Sequence, residues 1–418
     1  MKPRRSVYIV GGEHTPFIGK HHPDFIWKGH PDFGKKRNPT IQEHLYRATL
    51  GALERSGVPA EMVQKGFVGN FTGEIFVQQG HLNAMLAGAH PSFDLKPFTR
   101  VEGACASGGL ALVGGIDAVC AGYDVVLVTG VEVQTTLSAR EGADALARAS
   151  CYATERGLDD FTFPCMFARR MRVYCERFSL TPADIAPVVV KAYENASKNP
   201  NAHMRAFKMT LDHARTASDS NPQFLKNPEY RDWLKVSDCS QVSDGASAAV
   251  LMSEEGLARC GKRAADAVQI AAYGHATAPL DGERDFTFLT TTAAAAAEAY
   301  RDACVGPADI NVAEVHDCFS IAEIQMYEAL GFAGPGKGLD LVLDGTVTLQ
   351  GRLPVNTGGG LMAFGHPVGA TGVKQAVEIY RQLRGLAGDY QVPGDASIGL
   401  AANMGGEDRT AVVTVYRG

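Results

Sequence analysis

Residues 358–372 read Gly-Gly-Gly-Leu-Met-Ala-Phe-Gly-His-Pro-Val-Gly-Ala-Thr-Gly, with a single histidine, His366, set among glycines. Two other segments share this grammar. Gly-Ala-Cys-Ala-Ser-Gly-Gly at 103–109 carries Cys105, and Val-His-Asp-Cys-Phe-Ser at 315–320 carries His316 and Cys318. Glycine lets a backbone come close to a ligand and take conformations closed to other residues. A cysteine and a histidine on glycine-rich turns, far apart in the chain, point to nucleophilic thiol catalysis.

Outward from these turns the periodicity becomes helical. After Cys105, Leu112, Ile116 and Val119 recur at helical intervals. After His366, Val373, Val377 and Tyr380 do the same, and Pro367 suits a first helical turn. Strands are expected nearby. Asp124–Val131 is a nearly continuous apolar run, the mark of a buried strand, and Ala396–Leu400 is its counterpart in the last third. Ser6–Val10 leads to a Gly-Gly turn as Val268–Tyr273 leads to Gly-His, and Val242–Ser253 has buried-strand composition. Ile41, Leu45, Ala48 and Ala52 predict a helix over 41–56.

This repeated order predicts an α/β protein with two βα-rich halves, each offering one loop-to-helix catalytic turn. Residues 136–236 differ in character. They hold charge-rich helical stretches at Phe167–Arg177 and Pro182–Lys198, then aperiodic polar sequence from Asn199 to Trp233. The expected division is therefore 1–135 plus 237–264 for the first half, 136–236 as an inserted loop domain, and 265–418 for the second half. Residues 21–40, where His-Pro-Asp-Phe occurs twice, read as a solvated surface loop or a partner contact.

Composition narrows the function. The chain has 418 residues, 45% hydrophobic and 21% charged, with a net charge of −6 that gives no broad case for nucleic acid. Its nine cysteines include no C-x-x-C pair. No membrane-length apolar run or signal peptide is evident, so a reducing, cytoplasmic setting is expected.

A thiolate is the reactive form of cysteine, and a helix N-terminus favours negative charge, so Cys105 is expected to ionise there. Backbone N–H groups beside it would face a developing oxyanion. His366 would take the thiol proton or donate to an oxyanion. If Val312–Val315 is a strand that continues, His316 and Cys318 share one face and Asp317 and Phe319 the other. Cys318 would then exchange a proton with carbon. Cys120, Cys175, Cys260 and Cys304 read as small buried hydrophobes. Zinc on Cys105, Cys318, His316 and His366 fits the residue types, but no pair has standard zinc spacing, so no metal is expected.

Cys-Ala-Ser-Gly-Gly at 105–109, Ser-Asp-Gly-Ala-Ser-Ala-Ala-Val at 243–250, His-Asp-Cys-Phe at 316–319 and Gly-His-Pro-Val-Gly-Ala-Thr-Gly at 365–372 resemble, in order and spacing, the signature segments of the thiolases. His-Asp-Cys-Phe resembles the sterol-carrier-protein-2 type. The resemblance implies a five-layered α-β-α-β-α sandwich with an inserted loop domain, and an acyltransferase of lipid metabolism acting on acyl-CoA. It would cleave 3-ketoacyl-CoA with CoA, or run the condensation, through an acyl-enzyme on Cys105. Coenzyme A is then a substrate, no further cofactor is needed, and a homodimer or homotetramer is implied, with 124–131 near its two-fold contact. Cys105, Cys318, His366 and His316 would be catalytic, with His316 and His366 forming one oxyanion site. Backbone N–H groups at Cys105 and near Asn403 would form the other. Asn403, Gly405 and Met166 would contact substrate. One departure stands out. Ala401, in Leu-Ala-Ala-Asn-Met-Gly-Gly at 400–406, replaces a second cysteine usual in the family, and Glu-Asp-Arg follows where glycines are usual. The alternatives on this fold are a biosynthetic acyltransferase that needs a partner subunit, such as a small zinc or OB-fold protein, and a non-catalytic acyl-CoA binder.

Overall fold

A computed structural model describes residues 1–418. Its strands are β1 (Tyr8–His14), β2 (Lys65–Gly69), β3 (Phe98–Val101), β4 (Val125–Glu132), β5 (Gly245–Met252), β6 (Val268–Thr277), β7 (Val312–Glu314), β8 (Ile398–Gly405) and β9 (Thr410–Arg417). They form a mixed sheet in the order β3-β2-β4-β5-β1-β6-β9-β8-β7. The first five belong to one half and the last four to the other. The halves meet at a narrow seam, where β1 pairs with β6 only through Tyr8–Gln269 and Ile9–Val268.

The principal helices are α1 (Ile41–Ser56), α2 (Ser107–Cys120), α3 (Ala139–Leu146), α4 (Thr162–Phe178), α5 (Pro182–Ala196), α6 (Thr290–Ala303), α7 (Ser320–Ala329) and α8 (Thr371–Leu383). α1 covers the outer face of β1, β4 and β5, and α6 covers β6 and β9. α2 and α8 pack on each other in the middle, α2 against β2 and β4, α8 against β8 and β7 as well as β5 and β1. The result is the five-layered α-β-α-β-α arrangement that the resemblance implied. Between β4 and β5 the chain leaves this frame, and α4 and α5 of the inserted segment pack against α7.

β4 shows why its sequence is so uniformly apolar. It lies between β2 and β5 with all eight residues buried. Val126 and Val128 enter the central core with Leu112 and Ile116, whereas Val125, Leu127 and Val131 enter the outer core with Leu45, Ala48 and Ala52. β4 is thus covered on both faces and both edges within the chain itself.

One correction concerns the glycines expected to follow the first strand and their counterparts at the sixth. β1 runs through Gly11-Gly12 to His14, and β6 runs through Gly274-His275 to Thr277, so neither glycine marks a turn. They mark close helix crossings instead. A Cβ on Gly11 would lie 2.7 Å from the Ser56 Cα of α1, and one on Gly274 would lie 1.9 Å from the Ala295 carbonyl oxygen of α6. The two halves thus repeat the same device: a bare strand position under the outer helix.

Candidate active site

Cys105 sits in a single tight turn, Ala104–Ala106, that runs directly into α2. Ala104 has φ +52°, a left-handed conformation costly for a residue with a Cβ. The turn is held from within: the Ser107 hydroxyl accepts from Gly103 N at 3.0 Å and donates to the Ala104 carbonyl at 2.6 Å. It is held from outside by β8. A Cβ on Gly405 would lie 2.2 Å from the Gly103 carbonyl oxygen, so only glycine lets β8 come this close. Asn403 of the same strand accepts from Gly109 N at 3.1 Å through Oδ1, which leaves Nδ2 to donate to the Cys105 carbonyl at 3.1 Å. The Gly406 N–H reaches the Cys105 sulfur.

His366 arrives from the other half. Its Nδ1 lies 2.7 Å from the Thr371 hydroxyl, which itself donates to the Pro367 carbonyl at 3.1 Å. Thr371 therefore accepts from Nδ1–H, and His366 Nε2 is left as a free base. The Gln134 amide holds the His366 carbonyl at 2.9 Å. α8 starts at Thr371 and α2 at Ser107, and the two first turns touch backbone to backbone: a Cβ on Gly372 would sit 2.1 Å from Gly109 N. This contact sets Cys105 against His366.

The third segment does not continue as a strand. β7 stops at Glu314, because Asp317 turns inward and accepts from Leu361 N at 2.6 Å, anchoring the glycine-rich loop. The expected alternation therefore fails at Phe319, which lines the catalytic cavity beside Cys318. His316 Nδ1 lies 3.2 Å from Asn403 Nδ2 and accepts from it, so its Nε2 carries the hydrogen. That Nε2 is buried with no partner. The His316 and His366 rings meet edge to face at 5.2 Å between centroids. The donor atoms of Cys105, His316 and His366 all lie within 4.8 Å of one another. The trio could also hold a metal ion, with an open fourth position, but only by occupying the Cys105 sulfur.

Burial sets the protonation states. It pushes the Cys105 thiol up to about 12, reinforced by the Glu132 carboxylate and opposed by the Gly406 N–H. It holds His366 down to about 3, with the Lys374 charge adding to it. It holds His316 well below the usual histidine range, helped by His366, and pushes the Cys318 thiol well up, helped by Cys105 and Asp317. The resting site is two thiols and two neutral imidazoles. Proximity to a helix start does not ionise Cys105, because desolvation outweighs it.

These groups open on a cavity of about 450 Å³ lined by 27 residues, 17 of them hydrophobic. Cys105, Cys318 and His366 line it, and His316 lies behind them, fully buried. Asn403 and Gly405 shape the catalytic turn without reaching the cavity wall, where Gly406 stands instead. Met166 is fully buried and the wall from its helix is built by Phe163, Pro164 and Phe167. Ala401 packs in the central core, and the β8 position that faces Cys105 and His316 is Asn403. Sequence reading missed Gly406 and Gln134. The paired glycines at 405–406 were a signal, but which of them faces the sulfur depends on where β8 ends.

The thiolase N-terminal domain matches residues 29–217 and the thiolase C-terminal domain-like model matches residues 272–418. An acetyl-CoA acetyltransferase of Methanothermobacter thermautotrophicus is 38% identical over 378 residues, covering 90% of this chain and 94% of the relative. Benzoylsuccinyl-CoA thiolase subunit BbsB of Thauera aromatica is 29% identical over 410 residues, covering 97% and 96%. Sterol carrier protein 2 of Gallus gallus is 32% identical over 377 residues, covering 87% of this chain and 65% of the relative. Among solved structures, the Ltp2-ChsH2(DUF35) aldolase superposes with a TM-score of 0.76 at 22% identity, covering 98% and 97%. The Acat5 thiolase of Ascaris suum in complex with coenzyme A superposes with a TM-score of 0.70 at 17% identity, covering 99% and 100%. With both family models matched in order, and a relative of 38% identity spanning nine-tenths of the sequence, the chain belongs to the thiolase family.

Proposed function

We propose that the protein is a thiolase-type acyltransferase, cleaving 3-ketoacyl-CoA with CoA or running the reverse condensation. The observation that carries this reading is the convergence of Cys105, His316 and His366 within 4.8 Å on a cavity that Cys318 also lines. His366 Nε2 takes the Cys105 proton as sulfur attacks the keto carbon, because a separated thiolate would be unstable in so buried a site. The oxyanion faces the Cys105 and Gly406 N–H groups. The carbon–carbon bond breaks, leaving the acyl group on Cys105 and the enolate of acetyl-CoA. The free His316 Nε2–H and the protonated His366 stabilise the enolate oxygen, and the Cys318 thiol protonates its carbon. Incoming CoA gives its thiol proton to Cys318 and takes the acyl group, and His366 returns its proton to the released Cys105 sulfur. Intact-mass analysis with peptide mapping after incubation with acyl-CoA should find the adduct on Cys105. An adduct confined to another cysteine, or none with any acyl-CoA, would sink the reading.

A second reading is favoured by one relative's being named a subunit: the chain could act with a partner protein. The 21–40 loop supports it by exposing Trp27 and Phe33. A homodimer or homotetramer, with 124–131 near its two-fold contact, and a cytoplasmic site of action are also proposed. No helix is long and apolar enough to cross a membrane.

A further inference from the structure

His203 lies in the aperiodic stretch 199–233, yet it is 1% exposed and joins two segments that line the catalytic cavity. The first is Gly19–Phe25, which gives Lys20 and Phe25 to the lining. His203 Nε2 stands 2.7 Å from the Lys20 carbonyl, which can only accept, so Nε2 carries the hydrogen. A Cβ on Gly19 would lie 2.5 Å from His203 Cε1, so this backbone rests directly on the ring. Lys20 is the only charged side chain in the lining, and acyl-CoA is an anion, so where this segment sits bears on binding. The second segment is the loop of the base His366. His203 Nδ1 lies 2.9 Å from Ser243 Oγ. Burial holds the ring down to about 4, so it is neutral, and Nδ1 accepts from the Ser243 hydroxyl. Ser243 Oγ in turn accepts from His366 N at 3.4 Å, and a Cβ on Gly365 would lie 2.5 Å from the same oxygen. The Gln241 carbonyl, 3.0 Å from Ser243 Oγ, would take the hydroxyl hydrogen if Nδ1 were lost. One ring thus donates to the segment that carries Lys20 and accepts from the hydroxyl that supports His366.

We infer that His203 is a positioning residue with two separable tasks. Through Nε2–H it sets the Gly19–Phe25 segment that receives the substrate, and through Nδ1 and Ser243 it sets the backbone of His366. The inference rests on the thiolase reading, which makes His366 the base. Two conservative variants divide the tasks, because the asparagine amide stands where Nδ1 stood and the glutamine amide where Nε2 stood. Acylation of Cys105 is followed by intact mass over a range of acyl-CoA concentrations, using acetyl-CoA or octanoyl-CoA, whichever labels the wild type faster. This gives a maximal rate and a half-saturating concentration. His203→Asn can still accept from Ser243, so its maximal rate should stay within about threefold of wild type while half-saturation rises roughly fivefold or more. His203→Gln can still donate to the Lys20 carbonyl, so its half-saturation should stay within about threefold. Its maximal rate should fall roughly tenfold or more, since a small misplacement of a reacting group can cost ~10²-fold. A merely structural histidine would not split the two constants, because each variant gives up one buried hydrogen bond. Both variants moving the same constant, the reverse pattern, or wild-type constants in both would overturn the inference and leave the thiolase reading intact. No labelling of wild-type Cys105 by either acyl-CoA would remove that reading and this inference with it.

Discussion

Cys105 and Cys318 share a cavity and are both held as thiols, so their roles are divided by position and not by acidity. Cys105 has the Gly406 N–H and belongs to the close trio with His316 and His366, whereas Cys318 has its own and the Phe319 N–H but stands outside that trio. Cys318→Ala should lose roughly 10²–10⁴-fold in carbon–carbon cleavage and condensation, the usual value of one acid/base group. Acylation of Cys105 moves no carbon-bound proton and should largely survive. Both are measured in one variant; cleavage at near wild-type rate would pass the acid role to Cys239, another cavity thiol, or to a histidine. Protonation makes a second prediction. A thiol pushed up to about 12 is alkylated only through a small thiolate fraction. The iodoacetamide rate at Cys105 in the free enzyme should therefore climb about tenfold per pH unit from pH 7 to 9. A plateau near neutrality, followed by peptide mapping, would mean that a thiolate–imidazolium pair already exists. The reactive residues were legible in the sequence because glycine-rich turns flag them. Their charge states were not, since burial of Cys105 comes from segments hundreds of residues away.

At the scale of elements, the charged Gly406–Arg409 turn is the part of the site least legible in the sequence. Glu-Asp-Arg reads as a solvated turn, yet Glu407 and Asp408 are both buried. Glu407 accepts from Arg170 Nε at 2.9 Å and Arg169 Nη2 at 3.2 Å, and lies 3.1 Å from Arg284. Asp408 accepts from Thr291 N at 2.8 Å and Thr292 N at 3.0 Å, capping α6 from a distant strand turn. Both anchors hold the turn whose first residue gives its N–H to Cys105. They differ in what removal leaves behind. Glu407→Ala strands Arg170, which is 1% exposed, and breaking such a buried pair costs about 3–5 kcal/mol. Asp408→Ala exposes two helix N–H groups at a cost of about 1 kcal/mol. Urea unfolding should rank Glu407→Ala well below Asp408→Ala; the opposite order would place Glu407 in a solvated, exchangeable pairing. The three arginines come from α4 and the 282–288 segment, far from Glu407 in sequence, and no local pattern announces that pairing.

For the whole molecule, the question is whether two similar halves behave as two domains. Sequence periodicity suggests separable units, and the nine-strand sheet itself is joined by only two residue pairs at its seam. The middle layer argues otherwise. α8 belongs to the second half, yet Val377 sits 2.6 Å from where a Gly12 Cβ would be on β1, and α8 packs on β5 as well. His14 of β1 lies 2.9 Å from Glu378 of α8, both side chains fully buried. Each half alone would expose the apolar face that the other covers and would part His14 from Glu378. Calorimetry should therefore show one cooperative transition for the full chain, and neither 1–264 nor 265–418 should fold when expressed alone. Gly372→Ala tests the same junction from inside, because its Cβ would have to enter the space of Gly109 N. Overpacking of this kind costs about 1–3 kcal/mol. It should also part Cys105 from His366, so acylation should fall more steeply than stability does. Two separate endotherms, or a Gly372→Ala variant with normal acylation, would show that the catalytic pair is held by the loops alone and that the shared helical layer serves only packing.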